Sequence, residues 1–363
     1  MILPISKNKA LIRDEIMSSK KSKTIIRIVL AIGTIASLFF VPWIILKAWL
    51  MPLPDTVQER VNYATKLGFD GIIVYVDKKG NAPEFYAAGY KNREEKIPAD
   101  PHSLFKIASV TKLYHAVAIA KLVRDEQLSL DKTLADYLPE LKGRIENADE
   151  ITLRMMVQHR SGIPNYTDTY MYWAAPKETA EENLALVLDL PANFEPGDDY
   201  EYSNTNYLLI DKIIKRVLGY KTFTYIQEAI LDRLDLKNTY GSIDDVDLDD
   251  VMSGYYVGYE GDLKTDNIGV MLATAEDLGK FIRALNDGSV FKDQKEQDIY
   301  SSIYRYDHTG LIPGYQTIAK YHKDIDTVVI QFTNTVDFEG YNWSLHEIIY
   351  NRIIKILRKR MDS

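Results

Sequence analysis

The chain has 363 residues, of which 46% are hydrophobic and 26% are charged, a composition typical of ordinary globular proteins that argues against disorder. Its net charge of −8 argues against nucleic acid as a partner, because phosphate binding requires clustered lysine and arginine. The chain contains no cysteine, which excludes disulfides, a catalytic thiol and a lipid-modified cysteine anchor.

The first predicted element is a membrane span over residues 28–46, a run of 19 residues without a charged side chain. A helix of this length extends about 28 Å at about 1.5 Å per residue, close to the ~30 Å hydrocarbon core of a bilayer. Pro42 lies inside the run, where a membrane helix tolerates a kink, and Trp43 and Trp49 suit an interfacial position. The sequence therefore predicts one transmembrane helix.

The distribution of basic residues predicts how this span is oriented. Seven lysines and arginines precede residue 28, and they follow the span more sparsely. Because the basic side stays in the cytoplasm, residues 1–27 are predicted to be a cytoplasmic tail and the rest of the chain extracytoplasmic, with localisation at the cell membrane. A cleaved signal peptide is the alternative, which the long basic leader and the absence of a clear small-x-small cleavage site disfavour.

A linker over residues 47–55 leads into a globular domain expected over residues 56–363. The domain begins with a predicted helix over 57–67, which ends at Gly68, a residue suited to a helix C-terminus. Further elements are predicted from β-branched runs, apolar patterning and turn residues. They are strands at 71–76 and 84–88, a buried helix at 110–124, helices and loops over 130–285, strands at 303–307, 317–321 and 327–333, and a helix at 344–358.

Strands near both ends of the domain, with helices between them, predict an α+β fold. One sheet would be closed by the two ends of the domain and would carry a helical insertion. The cleft between the sheet and the insertion is then the natural place for a functional site.

The pattern Ser-x-x-Lys occurs six times in the chain, so the spacing alone means little. Ser109 and Lys112 differ from the other pairs because they lie at the start of the predicted buried helix, where side chains three residues apart share a face. Burial lowers a lysine pKa, which could make Lys112 a base for the Ser109 proton. The alternative is a helix-capping Ser109 and a lysine whose amine reaches solvent.

Two further motifs complete a candidate serine-hydrolase site. Tyr-x-Asn occurs twice, and the copy at Tyr202 and Asn204 precedes a predicted helix, where a phenol can relay a proton and an amide can hold a substrate carbonyl or the lysine. The alternative is helix capping with Tyr202 as a packing residue. His308, Thr309 and Gly310 form a motif that occurs once, in a strand-like stretch where glycine allows a substrate backbone to approach.

No metal site is predicted. His102, His115, His322 and His346 show no metal-ligand spacing, and the chain has no His-Glu-x-x-His motif. His159 lies in a Gly- and Pro-containing stretch that is interpreted as a structural turn.

These motifs, taken together, resemble those of the serine β-lactamase and penicillin-binding-protein superfamily, in its class C-like branch. That branch also contains D-Ala-D-Ala carboxypeptidases, D-aminopeptidases and esterases. The resemblance covers about residues 56–360 and implies an antiparallel sheet flanked by terminal helices, with a helical subdomain. It rests on five segments in family order, at residues 105–112, 153–164, 194–210, 274–278 and 308–315.

The resemblance also implies residue roles, without a cofactor. Ser109 would attack an acyl carbonyl, and Lys112 and Tyr202 would share the general base and acid duties. Asn204 would hold the substrate amide, and the backbone N–H groups of Ser109 and Leu311 would form the oxyanion hole, beside a substrate-binding strand that carries His308, Thr309 and Gly310. One oxyanion donor is typically worth about 2.7–4 kcal/mol of barrier.

His308 departs from the lysine found in many members, including most β-lactamases. Lysine gives a fixed positive charge for a substrate carboxylate, whereas an unperturbed histidine, with a pKa of ~6.5, is mostly neutral at pH 7. The sequence therefore predicts a membrane-anchored, outward-facing serine hydrolase for an ester or amide in a small molecule or peptide, including cell-envelope substrates. The alternatives are a non-catalytic envelope binding or scaffold protein, and a true β-lactamase or D-Ala-D-Ala carboxypeptidase.

Overall fold

The computed structural model describes residues 5–361, with side chains from residue 22 onward. The chain divides into two compact units, one that ends at Met51 and one that begins at Pro52. This boundary falls inside the predicted linker.

The first unit consists of two helices, α1 (Ile5–Leu38) and α2 (Trp43–Leu50). Within the described residues, no single helix has both the length and the apolar character needed to cross a membrane, although the helical parts on either side of the break, bent by 78° to each other, meet these criteria together. The expected continuous helix over 28–46 is thus interrupted at residues 39–42, because Pro42 has no amide hydrogen to continue the helical bonding. The membrane span stays a prediction.

The second unit is built on a six-stranded sheet in the order β3-β2-β1-β10-β9-β8, in which every neighbouring pair is antiparallel. Its strands are β1 (Gly71–Lys78), β2 (Glu84–Asn92), β3 (Ile97–Pro98), β8 (His308–Ile312), β9 (Tyr315–His322) and β10 (Thr327–Thr333). Short strands outside this sheet are β4 (Phe105–Lys106), β5 (Thr239–Tyr240), β6 (Tyr255–Tyr256), β7 (Leu272–Ala273) and β11 (Thr335–Val336).

The β1–β10 pair joins the two ends of the domain at the centre of the sheet. Ile72 pairs with Thr333, and Lys78 pairs with Thr327. All the residues of β10 are buried, as are the first six residues of β1, which is why both strands are apolar and β-branched. The prediction of one sheet closed by both ends of the domain is confirmed.

Helices cover the sheet and form the insertion. The helices of this unit are α3 (Val57–Ala64), α4 (Thr111–Arg124), α5 (Leu134–Tyr137), α6 (Leu153–Val157), α7 (Ala180–Ala185), α8 (Asn204–Leu218), α9 (Thr222–Ile226), α10 (Ala275–Asp287), α11 (Gln294–Ile303) and α12 (Asn342–Lys359). The terminal helices α3 and α12 pack against each other and against the sheet, and α10 packs on β1, β9 and β10. The architecture is α+β, with helices α5 to α9 between the two groups of sheet strands.

Helix α4 is buried nearly all round, as predicted from its composition. The Tyr114 ring stacks on Phe281 of α10, with ring centroids 3.8 Å apart. Lys121 Nζ lies 2.6 Å from Glu296 Oε1 of α11, an ion pair with almost no exposure to solvent. These contacts hold α4 against α10 and α11. The position of the candidate nucleophile, which lies beside the start of α4, is fixed in this way.

The predicted strand over 303–307 is wrong. Helix α11 ends at Ile303, and β8 begins only at His308. Asn286 of α10 donates to the Tyr306 carbonyl at 3.0 Å, and the buried Tyr300 hydroxyl donates to the Arg305 carbonyl. Because side chains satisfy these backbone groups, the aromatic residues of the stretch form a loop instead of pairing as a strand.

Candidate active site

The candidate nucleophile lies in a tight turn over residues 108–110 that leads directly into α4. Ala108 has a positive φ of 50°, an unusual conformation for a residue with a side chain. Ser109 and Lys112 share a face of the helical turn, and Lys112 Nζ lies 3.4 Å from Ser109 Oγ. The Lys112 side chain is buried, so the predicted pairing of amine and hydroxyl is present in the structure.

Lys112 is held by groups from α8 and from the residues just before it. Its Nζ donates to Asn204 Oδ1 at 2.8 Å. The same atom lies 5.0 Å from the ring centroid of Tyr202 and 5.3 Å from that of Tyr207, within the range of cation–π contacts. Asn204 therefore positions the lysine, one of the two roles considered for it from the sequence.

Tyr202 contributes the second polar contact to Ser109. Its hydroxyl donates to Ser109 Oγ at 2.8 Å. The phenol comes from the extended residues before α8, and Ser203, the residue before the first of that helix, is buried. Ser109 Oγ therefore lies between a phenol and an amine that are 93 and 3 positions away along the chain.

His159 forms a turn, as predicted, and also supports Tyr202, which the sequence analysis missed. It has a positive φ of 57°, and its ring centroid lies 4.3 Å from that of Tyr202 in a stacked arrangement. Nδ1 accepts the Ser203 backbone N–H at 3.2 Å. Burial lowers the pKa of His159 to about 3, and the charge of Lys112 adds to this effect. The ring is thus neutral at pH 7, with its proton on Nε2.

Strand β8 brings the third motif to the nucleophile. A Cβ on Gly310 would lie 2.5 Å from the Ile107 carbonyl oxygen and 3.3 Å from the Ser109 backbone nitrogen. Only glycine allows β8 to approach the turn this closely. Leu311 follows on the same strand and lines both cavities that reach Ser109. The oxyanion-hole role of its N–H group stays a prediction.

His308 is buried and neutral. Its Nδ1–H donates to the Thr309 carbonyl, and its Nε2 accepts from the Tyr304 hydroxyl at 3.0 Å. Burial lowers the pKa of His308 to about 4, against the raising effect of the Thr309 carbonyl and with a lowering contribution from Lys112 and Arg305. The expectation of a mostly neutral histidine is confirmed, because burial strengthens the neutrality expected of a free side chain.

Two cavities meet at Ser109. The larger, which we call the cleft, has a volume of about 740 Å³, and the smaller, the inner cavity, about 320 Å³. Tyr202 and His308 line only the cleft, whereas Lys112 lines only the inner cavity. The residues that line both are Ser109, Thr167, Trp173, Asn204 and Leu311.

The described part of the chain contains no group of three or more histidine, aspartate or glutamate residues able to hold a metal ion. The candidate site brings hydroxyl, amine, phenol, amide and imidazole groups together in one place. Such a set can carry nucleophilic acyl transfer, in which a hydroxyl is flanked by proton-transfer groups.

Comparison with curated proteins gives two kinds of partial relative. Protein flp of Staphylococcus aureus (strain MW2) is 27% identical over 170 residues, 47% of this chain and 34% of that protein. N-acetylmuramyl-L-alanine amidase of Bacillus subtilis (strain 168) is 26% identical over 198 residues, 50% of this chain and 45% of that protein. The chain thus spans less than half the length of these relatives.

Comparison with solved structures shows the fold. D-amino acid amidase from Ochrobactrum anthropi SV3 has a TM-score of 0.73 at 23% identity, covering 84% of this chain and 98% of that chain. A penicillin-binding protein from Bacillus halodurans has a TM-score of 0.65 at 22% identity, covering 77% and 95%.

A family model described as Beta-lactamase matches residues 55–304, more than half of the chain. The match includes Ser109, Lys112, Tyr202 and Asn204 and stops just before β8. By this match and by its fold, the protein belongs to the β-lactamase family of serine hydrolases, within the superfamily of serine β-lactamases and penicillin-binding proteins.

Proposed function

We propose that the protein hydrolyses an ester or amide through an acyl-enzyme on Ser109, in an extracytoplasmic domain anchored by the N-terminal segment. The observation that carries the proposal is the convergence of the Tyr202 hydroxyl and the Lys112 amine on Ser109 Oγ, at 2.8 and 3.4 Å. Two proton-transfer groups at one hydroxyl are what acyl transfer requires, since the serine proton must leave and a leaving group must receive one.

Acylation would proceed in two steps. Ser109 Oγ attacks the acyl carbonyl while its proton passes to the Lys112–Tyr202 pair, and the carbonyl oxygen becomes an oxyanion held by the N–H groups of Ser109 and Leu311. The carbon–heteroatom bond then breaks, and Tyr202 gives a proton to the leaving amine or alcohol.

Deacylation would reuse the same groups. A water molecule loses a proton to the pair and attacks the ester carbonyl, the bond to Ser109 Oγ breaks, and the serine recovers its proton. His159 keeps the phenol in place by stacking, and the Asn204 amide holds Lys112. Water and one ester or amide give one acid and one alcohol or amine.

The neutral His308 supports a substrate preference. It provides no positive charge beside Thr309, where a lysine would face a substrate carboxylate. We therefore expect weak activity on β-lactams and on free D-Ala termini, and stronger activity on short p-nitrophenyl esters. Comparison of nitrocefin with these esters is the test, and efficient nitrocefin turnover without esterase activity would contradict the preference.

A non-catalytic envelope binding protein is the second candidate, and covalent labelling separates it from a hydrolase. A fluorophosphonate or a fluorescent penicillin should label the wild-type chain at Ser109 and should not label Ser109→Ala. Equal labelling of both proteins would contradict the acyl-enzyme.

The membrane anchor rests on the apolar residues of α1 and α2 and on the basic residues before them. Labelling of intact cells with a membrane-impermeant fluorophosphonate tests the orientation. Strong labelling only after cell lysis would contradict an outward-facing domain.

A further inference from the structure

The two cavities at Ser109 differ in their charges. Among the described residues that line the cleft, Arg305 is the only one with a full charge at neutral pH, and no aspartate or glutamate is present. The inner cavity is mixed, with Lys112 and Lys177 facing Glu178 and Asp211. The cleft therefore has a net positive charge that no acidic group of its own lining balances.

Arg305 carries this charge without an acidic partner. In the part of the chain whose side chains are described, no carboxylate oxygen lies within 4.0 Å of its guanidinium. Arg283 of α10, by contrast, lies 2.9 Å from Asp77 and 2.6 Å from Asp326. Arg305 is exposed, whereas His308, three residues later, is buried. A free guanidinium at the outer part of a cleft is available for an anion from outside the chain.

The proposed mechanism assigns the two ends of the substrate to the two cavities. Tyr202 is the group that protonates the leaving group, and it lines the cleft but not the inner cavity. The leaving group therefore departs into the cleft, and the acyl group occupies the inner cavity. This step rests on the proposed function.

We propose that Arg305 recognises a carboxylate on the leaving group of the substrate. His308 does not serve this purpose, because it is neutral and its Nε2 already accepts from Tyr304. Three aromatic side chains, Trp173, Phe338 and Trp343, line the cleft. The matching substrate is an ester or amide whose leaving group has an apolar body that ends in a carboxylate.

The position of Arg305 also separates this carboxylate from that of a terminal D-Ala. In a D-Ala terminus the carboxylate is attached one carbon from the scissile nitrogen, so it stays close to the reacting carbonyl at Ser109. A carboxylate several bonds further out would reach the exposed loop before β8. The proposal is therefore compatible with weak activity on D-Ala termini.

The test uses two aryl esters with the same acyl group, 4-acetoxyphenylacetate and its neutral carboxamide, at low salt. For the full-length wild type we expect kcat/KM for the acid to exceed that for the carboxamide by about threefold, the scale of one solvent-accessible ion pair. Arg305→Gln should bring this ratio to about one, and Arg305→Lys should keep part of the preference. Added salt should reduce the wild-type ratio.

Arg233→Gln is the matched control, because it removes the same charge from an exposed arginine outside the lining of the cleft. It should leave the ratio unchanged. A wild-type ratio of one, or an unchanged ratio in Arg305→Gln, would overturn the proposal. Hydrolysis of the ester bond in the neutral carboxamide compound tests the hydrolase proposal separately, because it should be lost in Ser109→Ala. If neither ester is hydrolysed, the hydrolase proposal fails. Calorimetry then still tests the role of Arg305, because wild type should bind 4-acetoxyphenylacetate more tightly than Arg305→Gln does. Equal affinities would overturn that role.

Discussion

Two Ser-x-x-Lys sequences lie six residues apart, and the structure uses them in different ways. Lys106 belongs to β4, and its Nζ donates to the carbonyls of Leu263 and Asp266, both at 2.7 Å, while Ser103 Oγ is buried without a partner among the described residues. Lys112 and Ser109 lie on a helical turn with their polar atoms 3.4 Å apart. Lys106 thus stabilises a loop, whereas Lys112 contacts the candidate nucleophile.

The Ser-x-x-Lys spacing therefore brings the serine and lysine side chains together only where the local backbone is helical. Residues i and i+3 share a face of a helix but point to opposite faces of a strand. Burial is common to both lysines, so burial alone does not distinguish them.

The largest expected effect separates the two lysines by activity. Lys112→Met should lower kcat for a p-nitrophenyl ester by about 10³-fold, because it removes a group that shares the serine proton. Lys106→Met should retain kcat within about threefold in its folded fraction, since Lys106 does not contact Ser109. Steady-state kinetics on both variants, with circular dichroism to measure the folded fraction, is the measurement. Equal losses in the two variants would break the comparison.

The next effect concerns the second partner of the serine. Ser109 Oγ accepts from Tyr202, whereas Ser103 has no equivalent contact. Tyr202→Phe removes the hydroxyl and keeps the ring that stacks on His159, so kcat should fall by about 10²-fold with little change in melting temperature. A variant with wild-type kcat would exclude Tyr202 from proton transfer.

The two lysine variants should lose stability in the opposite order to that in which they lose activity. Lys106→Met leaves the Leu263 carbonyl, which is buried, and the Asp266 carbonyl without their donor, and it should lower the free energy of unfolding by about 2 kcal/mol. Lys112→Met should cost less, because it strands only the Asn204 oxygen. Urea denaturation of both variants at pH 7 gives the comparison, and a more stable Lys106→Met would contradict the structural role of that lysine.

The pH dependence of stability should identify Lys106. Burial lowers its pKa to about 8 from an ordinary 10.5, so between these values the unfolded chain binds more protons than the folded one. The free energy of unfolding contributed by Lys106 therefore rises as the pH increases through this window, by about 2 kcal/mol from pH 8 to pH 10. Wild type should gain this stability relative to Lys106→Met in urea denaturation at several pH values. Parallel curves would show that the amine is not buried in its charged form.

The smallest effect is expected at Ser103. Because its buried hydroxyl has no partner among the described residues, Ser103→Ala should change the free energy of unfolding by less than about 0.5 kcal/mol, or increase it slightly. Esterase activity should be unchanged, whereas Ser109→Ala should abolish it. Thermal melts and ester hydrolysis of this serine pair provide the measurement. A strong loss of activity in Ser103→Ala would place that hydroxyl in the site.

Much of this architecture follows from local patterns. The helix before Gly68, the apolar helix after Ser109 and the central strands each have a strong periodic signal, and Gly68 adopts the positive φ of 95° that its position predicts. The loop at 304–307 could not be predicted, because its aromatic residues favour a strand and the side chains that override this preference come from α10 and α11.

The site was predictable in its motifs and less so in its supporting residues. Ser109, Lys112, Tyr202 and the His308 strand were found because each lies in a short motif. His159 and Arg305 act through space, by stacking on a ring and by lining a cleft. Their roles depend on distances between segments, which spacing along the chain does not encode.

The pairing of β1 with β10 also sets the order in which the molecule can be completed. Ile72 of β1 pairs with Thr333 of β10, 261 positions later, so Ser109, Lys112, Tyr202 and His308 are all synthesised before β10. A nascent chain that ends soon after Leu311 would hold the whole chemical set and still expose an unpaired apolar strand. We therefore expect the Ser109 site to take its final form only after β10 has been synthesised and has paired with β1.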